Sequence, residues 1–209
     1  MKRFGIYAAQ ILMLIILAAI SLFAADYDIA IIGGRVVDPE TGLNEIRNVG
    51  IKDGRIASIT TEKITAAKII DARNRIVSPG FIDMHAHGQT IPAARMQAMD
   101  GVTTGLELEA GMLPISDYYD QAAREGRPIN YGASVNWANA RIATFLDLKP
   151  DHSLDWFFAS FSKPIWQNSV SNAAQLAKIS SMVEHELDQG GLGIGFLLGY
   201  APGTEQRIF

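Results

Sequence analysis

The residues with the strongest chemical signature are His85-Ala86-His87, at the end of the apolar run Phe81-Ile82-Asp83-Met84. In an extended strand, side chains two apart face the same side, so both imidazoles, with Asp83 behind them, are expected to point into one cavity. Two neutral imidazoles held a few ångströms apart suit a divalent transition metal such as zinc. Histidine pairs at this spacing also occur in solvent by chance, but here the pair follows an apolar strand and the turn Ser78-Pro79-Gly80. The remaining histidines have no partner at ligand spacing. His152 lies in the polar stretch Lys149-Pro150-Asp151-His152-Ser153, and His185 lies between Glu184 and Glu186; neither is expected to bind metal. Trp156-Phe157-Phe158 and Phe161 read as packing residues rather than a ligand platform.

Something must hold the histidine pair in place, and the chain around it reads as alternating strands and helices. Residues 27–75 carry short apolar runs separated by turns: Asp28–Ile32 stopped by Gly33-Gly34, then Asp38-Pro39-Glu40-Thr41-Gly42, then the two-residue hairpin signal Asp53-Gly54. They predict a small antiparallel β unit that needs a partner layer, because about 50 residues bury little on their own. After residue 75 come strand candidates at 81–88, 101–109, 129–135 and 192–198, with a helix over about Ser171–Gln189. That helix carries Leu176, Ile179, Val183 and Leu187 on one side, starts at Ser171-Asn172 and stops at Gly190-Gly191. Strands spaced by helical or loop stretches of this length argue for βα units and a parallel sheet.

Composition narrows the function. With 18 Lys+Arg against 22 Asp+Glu and a net charge of −4, the chain has no basic run, which argues against nucleic-acid binding. The absence of cysteine excludes disulfides, thiolate metal ligands and a nucleophilic thiol. Met1-Lys2-Arg3 precedes an almost unbroken apolar run from Phe4 to Ala25, the pattern of a secretory signal. The same run is long enough to be an uncleaved membrane anchor. The expected organisation is therefore a signal peptide or anchor at 1–25, a β segment at 26–75 and a catalytic segment at 76–209, in a protein exported to the periplasm or secreted.

The stretch Val77-Ser78-Pro79-Gly80-Phe81-Ile82-Asp83-Met84-His85-Ala86-His87 resembles the metal-binding signature of the amidohydrolase superfamily. Asp53-Gly54-Arg55-Ile56 and Gly101-Val102-Thr103-Thr104 resemble the superfamily's N-terminal β part and second barrel strand. Gly193-Ile194-Gly195 with Gly199-Tyr200-Ala201-Pro202-Gly203 is similar to the N-acyl-D-amino-acid deacylases. The resemblance implies an α/β fold: a metal-dependent (β/α)₈ TIM-like barrel with a small N-terminal β-sandwich segment. It implies amide hydrolysis in which a metal activates water and polarises the carbonyl, while a carboxylate moves the proton.

Carried over to this chain, the resemblance makes His85 and His87 zinc ligands, or ligands of another divalent transition metal. It gives Asp83 the task of orienting an imidazole. Where those deacylases carry a cysteine ligand, this chain reads Gly105-Leu106-Glu107-Leu108-Glu109. Glu109 is the first choice for a replacement oxygen ligand and Glu107 the second, against the alternative of two solvated acids at a strand exit. Arg141 is the candidate clamp for a substrate carboxylate, against that of an ordinary solvated arginine at a helix start. The expected partner is a small N-acyl amino acid, with no nucleic acid and with membrane association through the leader. At 209 residues the chain is shorter than the roughly 250 that such a barrel needs, so an incomplete barrel is expected, inactive by itself, with the acid–base residue beyond residue 209. Two other functions remain: a cyclic-amide hydrolase of the dihydropyrimidinase type, and a non-catalytic exported remnant.

Overall fold

The computed structural model describes residues 25–197. Nearly all of the apolar leader, and Gly199–Gly203 with it, lie outside the described residues. Among the described residues, no helix is long and apolar enough to cross a membrane. The chain divides into two compact units, one ending at Pro79 and one beginning at Gly80.

The first unit is a single mixed sheet. Strands β1 (Tyr27–Asp38), β2 (Leu43–Lys52), β3 (Arg55–Thr60) and β4 (Ala66–Asp71) are ordered β3-β2-β1-β4, and β5 (Ile76–Val77) also pairs with β1. The two hairpins follow the expected turns. Asp38 closes the first by accepting from Thr41 Oγ1 at 2.5 Å and from the Glu40 N–H at 3.1 Å. In the second, Asp53 and Gly54 both have positive φ, at 52° and 71°, as a type I′ turn requires. The expectation of an all-antiparallel unit is corrected here: β4 and β5 run parallel to β1, because the chain after β3 crosses to the far side of β1 instead of turning back beside β3. Among the described residues no second layer forms, so a sandwich is not seen.

The second unit is α/β. Strands β6 (Phe81–Asp83), β7 (Val102–Met112), β8 (Asn130–Asn136) and β9 (Ile194–Gly195) pair in chain order, all parallel. Helix α1 (Ile91–Met99) connects β6 to β7, α2 (Ile115–Glu125) connects β7 to β8, and α3 (Trp137–Leu146), α4 (Leu154–Phe161), α5 (Pro164–Asn168) and α6 (Ala173–Asp188) fill the passage to β9. Residues 132–136 of β8 are buried without interruption, as expected for a parallel strand covered on both faces. The main core joins Ala133 and Val135 of β8 to Leu113, Ile115, Tyr118 and Ala140, and to Ile179 and Val183 of α6. A second cluster forms around Trp166, Ile142 and Ala138.

Helix α6 shows how local sequence and packing agree. Asn172 and Gln175 form a reciprocal capping box, satisfying two backbone donors at the helix start. Ile179 and Val183 are buried as the spacing predicts, while Leu176, on the same predicted stripe, stays half exposed. Two predicted strands are shorter than expected. The stretch 81–88 is extended strand only to Asp83, and the described part of 192–198 only at Ile194–Gly195.

Candidate metal centre

The two histidines lie just past the end of β6, where His85 forms an isolated bridge to Glu107 of β7. Ala86 between them is buried, and it ties the segment down. Its N–H donates to Leu106 O at 2.9 Å, and its carbonyl accepts from Gln89 Nε2 at 2.6 Å. Asp83 Oδ1 accepts the His85 backbone N–H at 3.0 Å. With the backbone fixed on both sides of Ala86, the two rings meet edge to face, their centroids 4.7 Å apart and planes at 88°.

Three ligand atoms converge. His85 Nε2 and His87 Nε2 are 2.9 Å apart, and Glu109 Oε2 is 3.1 Å from each. Two imidazole nitrogens facing each other over a shared carboxylate oxygen form an arrangement that a positive charge between them would satisfy as well as a hydrogen bond does. A tetrahedral metal with bonds of about 2.0–2.1 Å spaces its ligands about 3.3 Å apart, so the triangle fits a small divalent ion after slight expansion. His85, His87 and Glu109 together are a group able to hold a metal.

Glu107 does something else. It is buried, and its Oε2 lies 2.7 Å from His87 Nδ1 while its Oε1 accepts the Ala110 N–H at 3.1 Å. A carboxylate only accepts here, so Nδ1 carries the proton and Nε2 presents its lone pair to the triangle. The same hydrogen bond, reinforced by the charges of Glu107 and Glu109 and opposed by partial burial, raises the His87 pKa above its ordinary value. The family resemblance gave Asp83 the task of orienting an imidazole and left Glu107 as the second-choice ligand. The structure corrects both: Asp83 braces the backbone, because it sits at the strand end beside the main chain, and Glu107 holds the ring.

Arg141 is not brought to this centre. It is 6% exposed, with Nε on Trp166 O at 2.8 Å, Nη1 on Ser171 Oγ at 2.5 Å, and Nη2 on Ser169 O. Its guanidinium stacks 4.4 Å from the Phe145 ring centroid, and burial lowers its pKa. With its donors committed to the 166–171 segment, it fastens that segment to α3, which replaces the expectation of a substrate clamp.

A cavity of about 380 Å³ opens beside the triangle, with His87 and Glu107 in its wall and Tyr118, Gln121, Asn139 and His152 among its other lining residues. No residue pattern around His152 points to this cavity. It does not join the triangle; only the folding of the 147–153 loop over α2 places it at the cavity. The pairing of Tyr118 OH with Gln89 Oε1 at 2.5 Å was equally invisible, since neither residue sits in a motif.

Comparison with known proteins agrees with this layout. The amidohydrolase family model matches residues 68–150. A dihydroorotase of Anaeromyxobacter sp. is 37% identical over 95 residues, covering 41% of this chain and 22% of the relative. An allantoinase of Bacillus licheniformis is 42% identical over 98 residues, covering 41% and 21%. Among solved structures, N-acyl-D-glutamate deacylase from Bordetella bronchiseptica, complexed with zinc and a phosphonate inhibitor, superposes with a TM-score of 0.68 at 25% identity over 87% of this chain and 40% of that one. A D-aminoacylase crystal structure shares the fold with a TM-score of 0.64 at 21% identity, over 84% of this chain and 40% of that one. The chain thus spans about a fifth of the length of these curated relatives and 40% of these solved structures. Residues 68–150 are thus similar to the amidohydrolase family, and the fold is similar to that of D-aminoacylase and N-acyl-D-glutamate deacylase.

Proposed function

We propose that this chain carries the metal-binding part of a hydrolase acting on a carbon–nitrogen amide bond, with an N-acyl-D-amino acid as substrate. The observation that carries the reading is the convergence of His85 Nε2, His87 Nε2 and Glu109 Oε2 within 3.1 Å of one another. Zinc is the proposed ion, on the strength of two imidazoles and one carboxylate. When bound, it supplies a Lewis acid that polarises an amide carbonyl and makes water a nucleophile near neutral pH. The chain's own residues do the positioning. Glu107 keeps the proton on His87 Nδ1 and the ring turned inward. Glu109 offers a partly exposed carboxylate oxygen, and Ala86 fixes the spacing of both rings.

The D-aminoacyl assignment is supported by the deacylase structures. A second reading, hydrolysis of a cyclic amide, is supported by the sequence relatives named dihydroorotase and allantoinase. The apolar leader supports export. The test is zinc titration of the purified chain, followed by calorimetric binding of N-acetyl-D-amino acids, dihydroorotate and allantoin to the zinc-loaded chain. One zinc per chain is expected, with loss of most of it in His85→Ala and in His87→Ala. Full zinc occupancy in His85→Ala would overturn the reading, and binding of dihydroorotate or allantoin without binding of the N-acetyl-D-amino acids would move it to the cyclic amides.

A further inference from the structure

Three groups at the cavity form a chain of fixed polarity. The Glu125 carboxylate only accepts, so Gln121 must turn its Nε2 toward Glu125 Oε1, at 2.7 Å. Gln121 Oε1 is then committed to face His152 Nε2, 2.8 Å away, and His152 must donate through that nitrogen. In the neutral ring this leaves Nδ1 as a bare acceptor on a residue that lines the cavity. Gln121 and Arg127 hold the Glu125 carboxyl below its ordinary pKa, which keeps the end of this chain ionised.

The cavity's charges are already spent. Glu107 is held by His87 and Ala110. Arg127 faces Glu125 at 2.8 Å and donates to Gly126 O and Gln89 O. With Arg127 paired to Glu125 and His152 neutral, the wall holds no unpaired cationic side chain for a second carboxylate, and Met112, Leu154, Phe157 and Leu197 make much of the rest apolar. Two buried polar atoms of lining residues, Asn139 Oδ1 and Arg127 Nε, have no hydrogen-bond partner, so the wall favours a guest that both donates and accepts.

Resting on the reading of the adjacent triangle as an amide-hydrolysing centre, we propose that this cavity receives an uncharged substrate group bearing an N–H donor, of the carboxamide class, and that His152 Nδ1 accepts from it. The fold's likeness to a deacylase named for D-glutamate does not carry over to the side chain, because an anionic group would enter this cavity without a counter-charge.

Three near-isosteric probes test this: N-acetyl-D-glutamine, N-acetyl-D-leucine and N-acetyl-D-glutamate, titrated calorimetrically into the full chain with and without zinc. The glutamine derivative should bind about three- to tenfold more tightly than the leucine one, the yield of one or two net hydrogen bonds, and the glutamate derivative most weakly. In His152→Phe the glutamine-to-leucine ratio should fall to about one, while circular dichroism is retained. Gln121→Leu, which frees the imidazole to adopt either tautomer, should reduce the same ratio partway. Equal binding of the three probes, tightest binding of the glutamate derivative, or a ratio surviving in both variants overturns the proposal. A chain that takes up zinc but shows no probe preference sinks the cavity assignment alone. A chain that prefers the glutamine probe but takes up no zinc sinks the hydrolase reading and leaves the recognition by His152 standing.

Discussion

The mixed sheet that ends at Pro79 and the βα unit that begins at Gly80 use apolar residues in opposite ways. In the first, β3 and β4 have no buried residue, and Ile46, Ile56, Ile69 and Ile76 are all more than half exposed. In the second, five consecutive residues of β8 are buried, and helices close over them. The candidate site lies at the edge of that burial, with His85 and His87 exposed and Glu107 buried beneath them. A carboxylate such as Glu107 can impose a proton position on a histidine only where water does not compete for it, and the second unit supplies that environment.

The comparison can be broken most forcefully at Trp166, which is fully buried. Trp166→Ala should cost about 3–5 kcal/mol of stability, the range for removing a buried aromatic side chain, as read from urea or thermal unfolding; a loss below 1 kcal/mol would show that the second unit is not packed as described. Arg141→Leu should cost about 2–3 kcal/mol because three acceptors lose their donor, yet leave zinc affinity of the folded protein unchanged. A specific loss of substrate binding with stability intact would restore Arg141 as a clamp.

Glu107→Gln sharpens the comparison at the site. It should weaken zinc about 10–100-fold, as removal of a carboxylate that orients a ligand does, with little change in folding. If Glu107→Gln costs more zinc than Glu109→Gln, the roles assigned to the two carboxylates are reversed. In the first unit, Ile56→Thr should change stability by no more than about 0.5 kcal/mol, as expected for an exposed position; a larger loss would mean that this face is covered in solution.

The smallest expected effect is at Asp71, whose carboxyl is held to about 2 by hydrogen bonds from Arg73 and by its charge. Because the folded pKa is depressed, its contribution is present above the ordinary carboxylate range and is lost as pH falls from about 4 through about 2. Both residues are exposed, so the gain is slight. Arg73→Gln should be marginally less stable than the parent at pH 6, with most of the difference gone by about pH 2. A difference as large at pH 2 as at pH 6 would assign the effect to something other than the charge.

Much of this was legible from residue order. The Asp53-Gly54 hairpin, the capped helix α6, the alternation of strands and helices after residue 75, and the suspicion attached to His85 and His87 all follow from patterns a few residues long, set by backbone geometry and local hydrogen bonds. What the chain order did not contain is which partner each polar group meets across a gap of 20 residues or more. Glu107 and Glu109 differ by two positions and lie on one stretch of strand, yet one grips Nδ1 of His87 and the other faces both Nε2 atoms, a distinction made by the register of β7 against the segment after β6. Arg141 became a buried fastener because α3 packs under the 166–171 segment, and His152 reached the cavity because its loop folds over α2. Local sequence fixes local conformation; the pairing of distant polar groups depends on packing, which only the tertiary structure decides.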